Sequence, residues 1–301
     1  MDNSNLDASP FSITGQNSPK LSYNRFTGLG TFGGPLKIPG MHNNWPTIFV
    51  AYQWTRNHND SVQTGLMPTE AERSGDLSQV LGLDGQPVEI AGFPGNLIPQ
   101  SLISSQARDL LSLYPQPNFA GSAGYNYQIP TQSATHQDSL QSRFNKMINR
   151  KNMVNGGFNF QDTRSDSPNL FDLVDESHTL GLNGNVNWRH FFSQRFTSSF
   201  GYSYSHYSSR VTPYFANRVD VSGDFGIGGN DQSPVDWGPP SLQFSSGISG
   251  ISDAQASNNR FQTSALSANL FWLHGAHNIT FGGDFRRQQF NYCLLYTSIQ
   301  G

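Results

Sequence analysis

The sequence predicts an all-β fold, an antiparallel set of about eight long strands, and three observations carry that prediction. Apolar and polar residues alternate with period two over stretches far longer than an ordinary strand. Short links alternate with long ones between these stretches. No apolar run approaches the roughly 20 residues that a membrane-crossing helix needs, so any membrane crossing has to be made by strands.

The clearest pair covers about 178–210. Its even positions carry Leu180, Leu182, Val186 and Trp188, then Phe196, Phe200, Tyr202 and Tyr204 beyond the tight link at 190–195. Its odd positions carry Asn183, Asn185, Asn187, Arg189, Ser199, Ser203 and Ser205, so each strand has one apolar and one polar face. A second pair, about 138–163, sets Leu140, Phe144, Ile148, Val154, Phe158 and Phe160 against Gln141, Arg143, Asn145, Asn155 and Asn159, with the turn Asn149-Arg-Lys-Asn152. A third, about 260–292, sets Leu266, Leu270, Trp272, Ile279, Phe281 and Phe285 against Ser267, Asn269, Phe271, Thr280, Asp284 and Arg286, with His274-Gly-Ala-His277 as its turn. Near the N-terminus, about 20–56 forms a fourth pair. There Ile48, Val50, Tyr52 and Trp54 define one face of the second strand, and the faces of the first strand are ambiguous.

Alternation alone does not decide which face meets which solvent, because a soluble antiparallel sheet alternates too. The connections decide it. Short links sit at 149–152, 190–195 and 274–277, while the long segments fall at about 57–137, 164–177 and 211–259. Short turns at one end and long loops at the other describe an outer-membrane barrel, and a soluble sandwich has no reason to sort its loops this way. On that reading Leu182, Val186, Phe200, Tyr202 and Leu270 face lipid, and Asn183, Asn185, Ser199, Ser203 and Asn269 face a wide lumen. Trp188, Phe196 and Trp272 beside the turns, with Tyr202 and Tyr204 toward the loops, fit aromatic girdles.

Composition excludes several other classes. Charged residues are 13% and aromatics also 13%, which argues against disorder. The net charge of -3 offers no basic field, so nucleic acid is not an expected partner. The single Cys293 excludes an internal disulfide framework. The first residues, Met1-Asp-Asn-Ser-Asn-Leu-Asp-Ala, lack the regions of a signal peptide, which leaves a cytoplasmic protein or a piece of a longer chain.

The long segments hold two predicted helices. Thr69 caps one that opens with Glu70 and Glu72, and a second runs over 101–113 before Pro115 and Pro117. Reactive constellations are weak. His274 and His277 have a metal-like spacing but bracket a Gly-Ala turn with no third ligand near in sequence. Glu70, Glu72 and Asp76 read better as helix-end residues than as an acid/base set, and Asp224, Asp231 and Asp236 better as turn residues than as a Ca²⁺ site. Phosphate-loop and nucleophile-elbow motifs are absent. We expect no catalytic, cofactor or metal residues; the individual substrate-binding residues are not legible.

Five segments in order resemble the TonB-dependent receptors of the Oar-like type: Phe32-Gly-Gly-Pro-Leu-Lys-Ile-Pro39, Ile48-Phe-Val-Ala-Tyr-Gln-Trp-Thr-Arg56, Met67-Pro-Thr-Glu-Ala-Glu-Arg-Ser-Gly-Asp-Leu-Ser78, Trp237-Gly-Pro-Pro-Ser-Leu-Gln-Phe-Ser-Ser-Gly-Ile-Ser-Gly250 and His277-Asn-Ile-Thr-Phe-Gly-Gly-Asp-Phe-Arg-Arg287. The resemblance implies a barrel of about 22 strands preceded by a carboxypeptidase-regulatory-like β-domain and a plug, with the TonB complex as partner. Residues 1–301 then correspond to the first part of the barrel, entered near Phe11-Ser-Ile-Thr-Gly-Gln16, with neither preceding domain present. The tail 293–301 departs from the polar loop that such a receptor would show. The expected function is capture of a substrate, such as a carbohydrate or siderophore, at extracellular loops and import through the lumen. A soluble or secreted glycan-binding β-sandwich is the alternative, and a passive porin a third reading.

Overall fold

The computed structural model describes residues 2–7, 20–37, 45–81, 86–87, 89–120, 124–229 and 233–294. The expected entry at 11–16, Asp231, the end of the 34–40 link and the tail beyond 294 lie outside the described residues. Nine strands form one antiparallel sheet in strict chain order: β1 (Asp2–Asn3), β2 (Tyr23–Pro35), β3 (Thr47–Gly65), β4 (Tyr127–Asn149), β5 (Asn152–Pro168), β6 (Val174–Ser193), β7 (Phe196–Thr212), β8 (Ser257–His274) and β9 (His277–Leu294). The helices are short and lie between strands: α1 (Glu70–Arg73), α2 (Ser105–Ser112) and α3 (Val221–Asp224).

The eight predicted strands are all present, joined by the two-residue β1, which pairs with Asn24 and Arg25 of β2. They are longer than predicted. The segment expected as a loop over 57–137 is strand as far as Gly65 and again from Tyr127, so its irregular part is 66–126. The 164–177 loop shrinks to a five-residue turn at 169–173, because β5 and β6 stay paired out to Pro168 and Val174. The Asn169 side chain closes this turn by accepting from the amides of Phe171 and Leu173, and Asp172 takes a left-handed φ of 60°. The third loop is 213–256. These extensions are polar on both faces, so the alternation that marks the strands lower down fades there.

Cross-strand pairing tests the predicted faces. Val186 lies opposite Tyr202, which lies opposite Leu266, which lies opposite Phe285. Asn183 lies opposite Ser205, and Ser199 opposite Asn269. The apolar sets therefore share one face of the sheet and the polar sets the other. The ambiguous first strand, β2, is resolved by register: Phe26, Gly28, Gly30 and Phe32 join the apolar face beside Arg56, Trp54, Tyr52 and Val50. Gly28 is required there, since a β-carbon would stand 2.2 Å from the Trp54 ring.

Among the described residues the buried apolar side chains are Met67, Tyr114, Phe215, Ala216, Val221, Ile251 and Ala256, and none belongs to a strand. The apolar face is bare, with Leu266 57% and Phe285 69% exposed. A water-soluble sheet would cover such a face. This overturns the soluble sandwich.

The apolar band also slides along the sheet. Following the pairs from Phe26, the top of the band in β2, leads strand by strand to Cys293, eight residues above Phe285 at the top of the band in β9. Starting from Phe32 at the bottom leads to Arg287, eight residues above Ile279. Eight residues over seven strand-to-strand steps is about 1.1 residues per step. At ~3.3 Å per residue and ~4.8 Å between strands, a level band then requires strands tilted by about 38° from the membrane normal. Membrane barrels tilt their strands by about 35–45°.

Candidate functional site: the lumen face and its cap

The polar face presents rows of amides and hydroxyls, with Arg143, Arg189, Asp284 and Arg286 set among them. One row runs Thr31, Ala51, Gln141, Asn159, Asn183, Ser205, Thr263 and Gln288, each opposite the next. These side chains also bond across strands: Asn187 Nδ2 donates to Ser199 Oγ at 3.1 Å, and the hydroxyls of Ser61 and Thr131 lie 2.9 Å apart. Two grooves run along this face. One of about 750 Å³ is lined by Gln53, Gln141, Asn159, Asn183, Ser205 and Thr263 among others. A second, of about 460 Å³, is lined by Asn145, Asn155 and Asn185. Of the residues predicted to face the lumen, Asn183 and Asn185 line these grooves, while Ser199, Ser203 and Asn269 lie on the same face outside them.

One feature of this face escaped the sequence reading. Tyr207, Phe261 and Phe290 break the alternation by placing aromatics on the polar side, with ring centroids 5.9 and 5.5 Å apart across three strands. The available signal was an apolar residue at an odd position of β7 and β8, out of phase with its neighbours.

The loops above the sheet pack into a cap. Met67, Tyr114 and Ile251 form its core, with Leu113, Leu170, Phe171, Leu242 and Ile248 packed around them. Asn126 fastens its base, accepting from the Met67 amide at 2.7 Å and donating to the Met67 carbonyl at 2.8 Å. The predicted Thr69 cap is a full capping box: Thr69 Oγ1 accepts from the Glu72 amide, and Glu72 Oε2 accepts from the Thr69 amide. Arg73, at the end of that helix, donates to four carbonyls, those of Pro68, Leu111, Tyr114 and Pro115, at 2.7–3.0 Å. The second predicted helix starts four residues late, at Ser105, because Ser104 caps it by accepting from the Ala107 amide.

The acidic residues weighed as reactive sets have structural places. Glu70 accepts from Gln116 Nε2, and Asp76 accepts from the Ser78 amide, which with the Ser78 hydroxyl holds its carboxyl below the usual range. Asp224 ends α3, and Asp236 is buried in the 3-10 turn Pro234–Asp236. His274 and His277 face each other across the Gly275 turn. Asp253 moves the other way from Asp76: burial, then the hydrogen bond and charge of Asp175, push it up to about 7 while it accepts from the amides of Tyr214 and Phe215.

On the opposite face, just loop-ward of the apolar band, charges reappear. Arg56 forks onto both oxygens of Asp138 at 2.9 and 3.0 Å, with the Tyr52 hydroxyl donating to the same carboxylate at 2.8 Å. Asp162 pairs with Arg164 and His178. Toward the turns the same face carries aromatics, Trp188 stacked on Phe200 at 5.7 Å and Phe192 on Phe196 at 4.9 Å.

A sheet whose one face is an exposed apolar band bordered by aromatics and charges, and whose other face is polar, is a wall of a membrane β-barrel. The chain belongs to the outer membrane beta barrel domain family, whose model matches residues 1–298, and its place is the outer membrane of a Gram-negative bacterium with that lipid as its partner. Neither the curated proteins nor the solved structures yield a match to this chain.

Proposed function

We propose that this sheet is part of the barrel of a TonB-dependent transporter of the Oar-like type, which binds a polar solute beneath the extracellular cap and imports it through the lumen. The observation that carries the reading is the continuous polar, hydrogen-bonding surface crossing from β2 to β9, mostly amides and hydroxyls with Arg143, Arg189, Asp284 and Arg286 set among them, and with a packed cap over its loop end. A solute that sheds water along such a surface regains hydrogen bonds from amides and hydroxyls at each row. The remaining strands of a barrel of about 22, the plug and the contact with the TonB complex belong to the resemblance. The chain's own role in this reading is binding and passage, with no catalytic step.

The test is uptake by cells carrying the full-length protein, with and without a working TonB complex, using labelled oligosaccharides, ferric siderophores and peptides. Uptake of one class that stops when TonB is removed supports the proposal. Uptake indifferent to TonB, together with solute leakage through reconstituted liposomes, would replace it with a passive pore.

A further inference from the structure

The lipid-facing side holds a feature that a uniform hydrocarbon contact does not need. In register across β7, β8 and β9, Ala268 faces Phe200 on one side and Gly283 on the other, and these small residues floor a trough of about 600 Å³. Trp188, Tyr202, Leu266 and Phe285 form its walls. A β-carbon added at Gly283 would meet nothing within 4 Å, so the trough is open at that point. In a bilayer it must be filled by hydrocarbon, because an unfilled trough forfeits its dispersion contacts.

Directly loop-ward on the same face of the same strands stand Arg287, two residues above Phe285, and Arg260, six residues above Leu266. Both are exposed, and among the described residues neither pairs with a carboxylate, unlike Arg56 and Arg164 farther along the sheet. Their neighbours in register are hydroxyls and amides: Ser264 beside Arg287, and Ser208 and Asn291 flanking Arg260. By register their α-carbons lie about 14 Å apart, within the joint reach of two arginine side chains. The loop side of such a barrel is the outer leaflet.

From this placement we propose a specific binding site for a phosphorylated glycolipid of the outer leaflet, one acyl chain lying in the Ala268–Gly283 trough and the phosphates of its sugar headgroup held by Arg260 and Arg287. Arginine forks match phosphate oxygens in pairs, and the hydroxyls and amides between them match sugar hydroxyls. A glycolipid satisfies trough, cations and polar rim together; an unphosphorylated lipid leaves both arginines uncompensated.

The full-length protein, purified in detergent, is titrated with bis-phosphorylated lipid A, its dephosphorylated form and phosphatidylglycerol, and binding is read from Trp fluorescence and from lipid retained through detergent exchange. We expect lipid A to bind at least tenfold more tightly than either of the others. The double variants R260Q/R287Q and R260E/R287E should lose that preference. A268F, which fills the trough, should weaken both lipid A forms alike and leave the phosphate preference intact. Each variant is checked for a native β-sheet circular dichroism spectrum, and the neutral pair serves if the charge reversals fail to fold. Equal affinity for phosphatidylglycerol, indifference to both arginine pairs, or competition by inorganic phosphate alone would overturn the site.

Discussion

Placing an arginine at Leu182 or at its neighbour Asn183 asks the same chain position, on opposite faces, which side meets lipid. In β6 the apolar band runs from Leu180 to Trp188, centred on Gly184. Leu182 is two residues from that centre, which at ~3.3 Å per residue and a tilt of about 38° is about 5 Å along the normal, close to the midplane. An arginine on the lipid face at that depth costs about 2–4 kcal/mol, a shift of roughly 30- to 1000-fold in the unfolding equilibrium. Asn183 sits opposite Asn159 and Ser205 on the lumen face, where a charge keeps its water, so Asn183→Arg should cost under about 1 kcal/mol. The assay is reversible denaturant unfolding of the full-length protein in phospholipid vesicles, followed by tryptophan fluorescence. If Asn183→Arg proves as costly as Leu182→Arg, or more so, the face assignment is wrong throughout the sheet, because register links every strand to this pair.

Three further outcomes follow from local contacts. Gly156→Ala should destabilise the sheet by roughly 1–3 kcal/mol, since its β-carbon would stand 2.6 Å from the Asn185 carbonyl oxygen, whereas Gly184→Ala, with Phe158 no nearer than 3.8 Å, should cost under about 1 kcal/mol in the same unfolding assay. Arg73→Lys should loosen the cap by roughly 2–4 kcal/mol, because one ammonium cannot reproduce a fork onto four carbonyls; faster protease cleavage within 66–126 is the readout. Asp253 has a raised folded-state pKa, so its contribution to the cap is present below about pH 4 and is lost as pH rises to about 7, with no further loss above. Protection of the 213–256 amides, taken against the intrinsic exchange rate at each pH, should therefore fall between those limits, and Asp253→Asn should flatten that fall.

Period two made the middle of the long strands from β3 to β9 legible, because only there does one face meet lipid and the other water; in β2 the glycines blurred it until register placed Phe26 and Phe32. Beyond the membrane both faces meet water, selection for alternation lapses, and the extension of β5 and β6 to the 169–173 turn left no trace in polarity. Thr69 and Glu72 were readable because a capping box is local. Arg73 was not, since most of its partners are backbone carbonyls some 40 residues away that carry no side-chain signature. The slide of the apolar band was present in the residues all along, but became visible only once register fixed which residue stands beside which. Tyr207, Phe261 and Phe290 hid because each looks like a single slip of phase until the three are seen side by side.

The length of β4 has its own consequence. From Leu140 at the top of the band to Tyr127 the strand climbs 13 residues, about 40 Å along its path and roughly 30 Å along the normal. Its partner β3 climbs with it to Gly65. The loop edge of this sheet therefore stands on a raised parapet, well clear of the bilayer. A molecule that touches this edge is met before it reaches the lipid at all, at a distance from the membrane that carries the sheet.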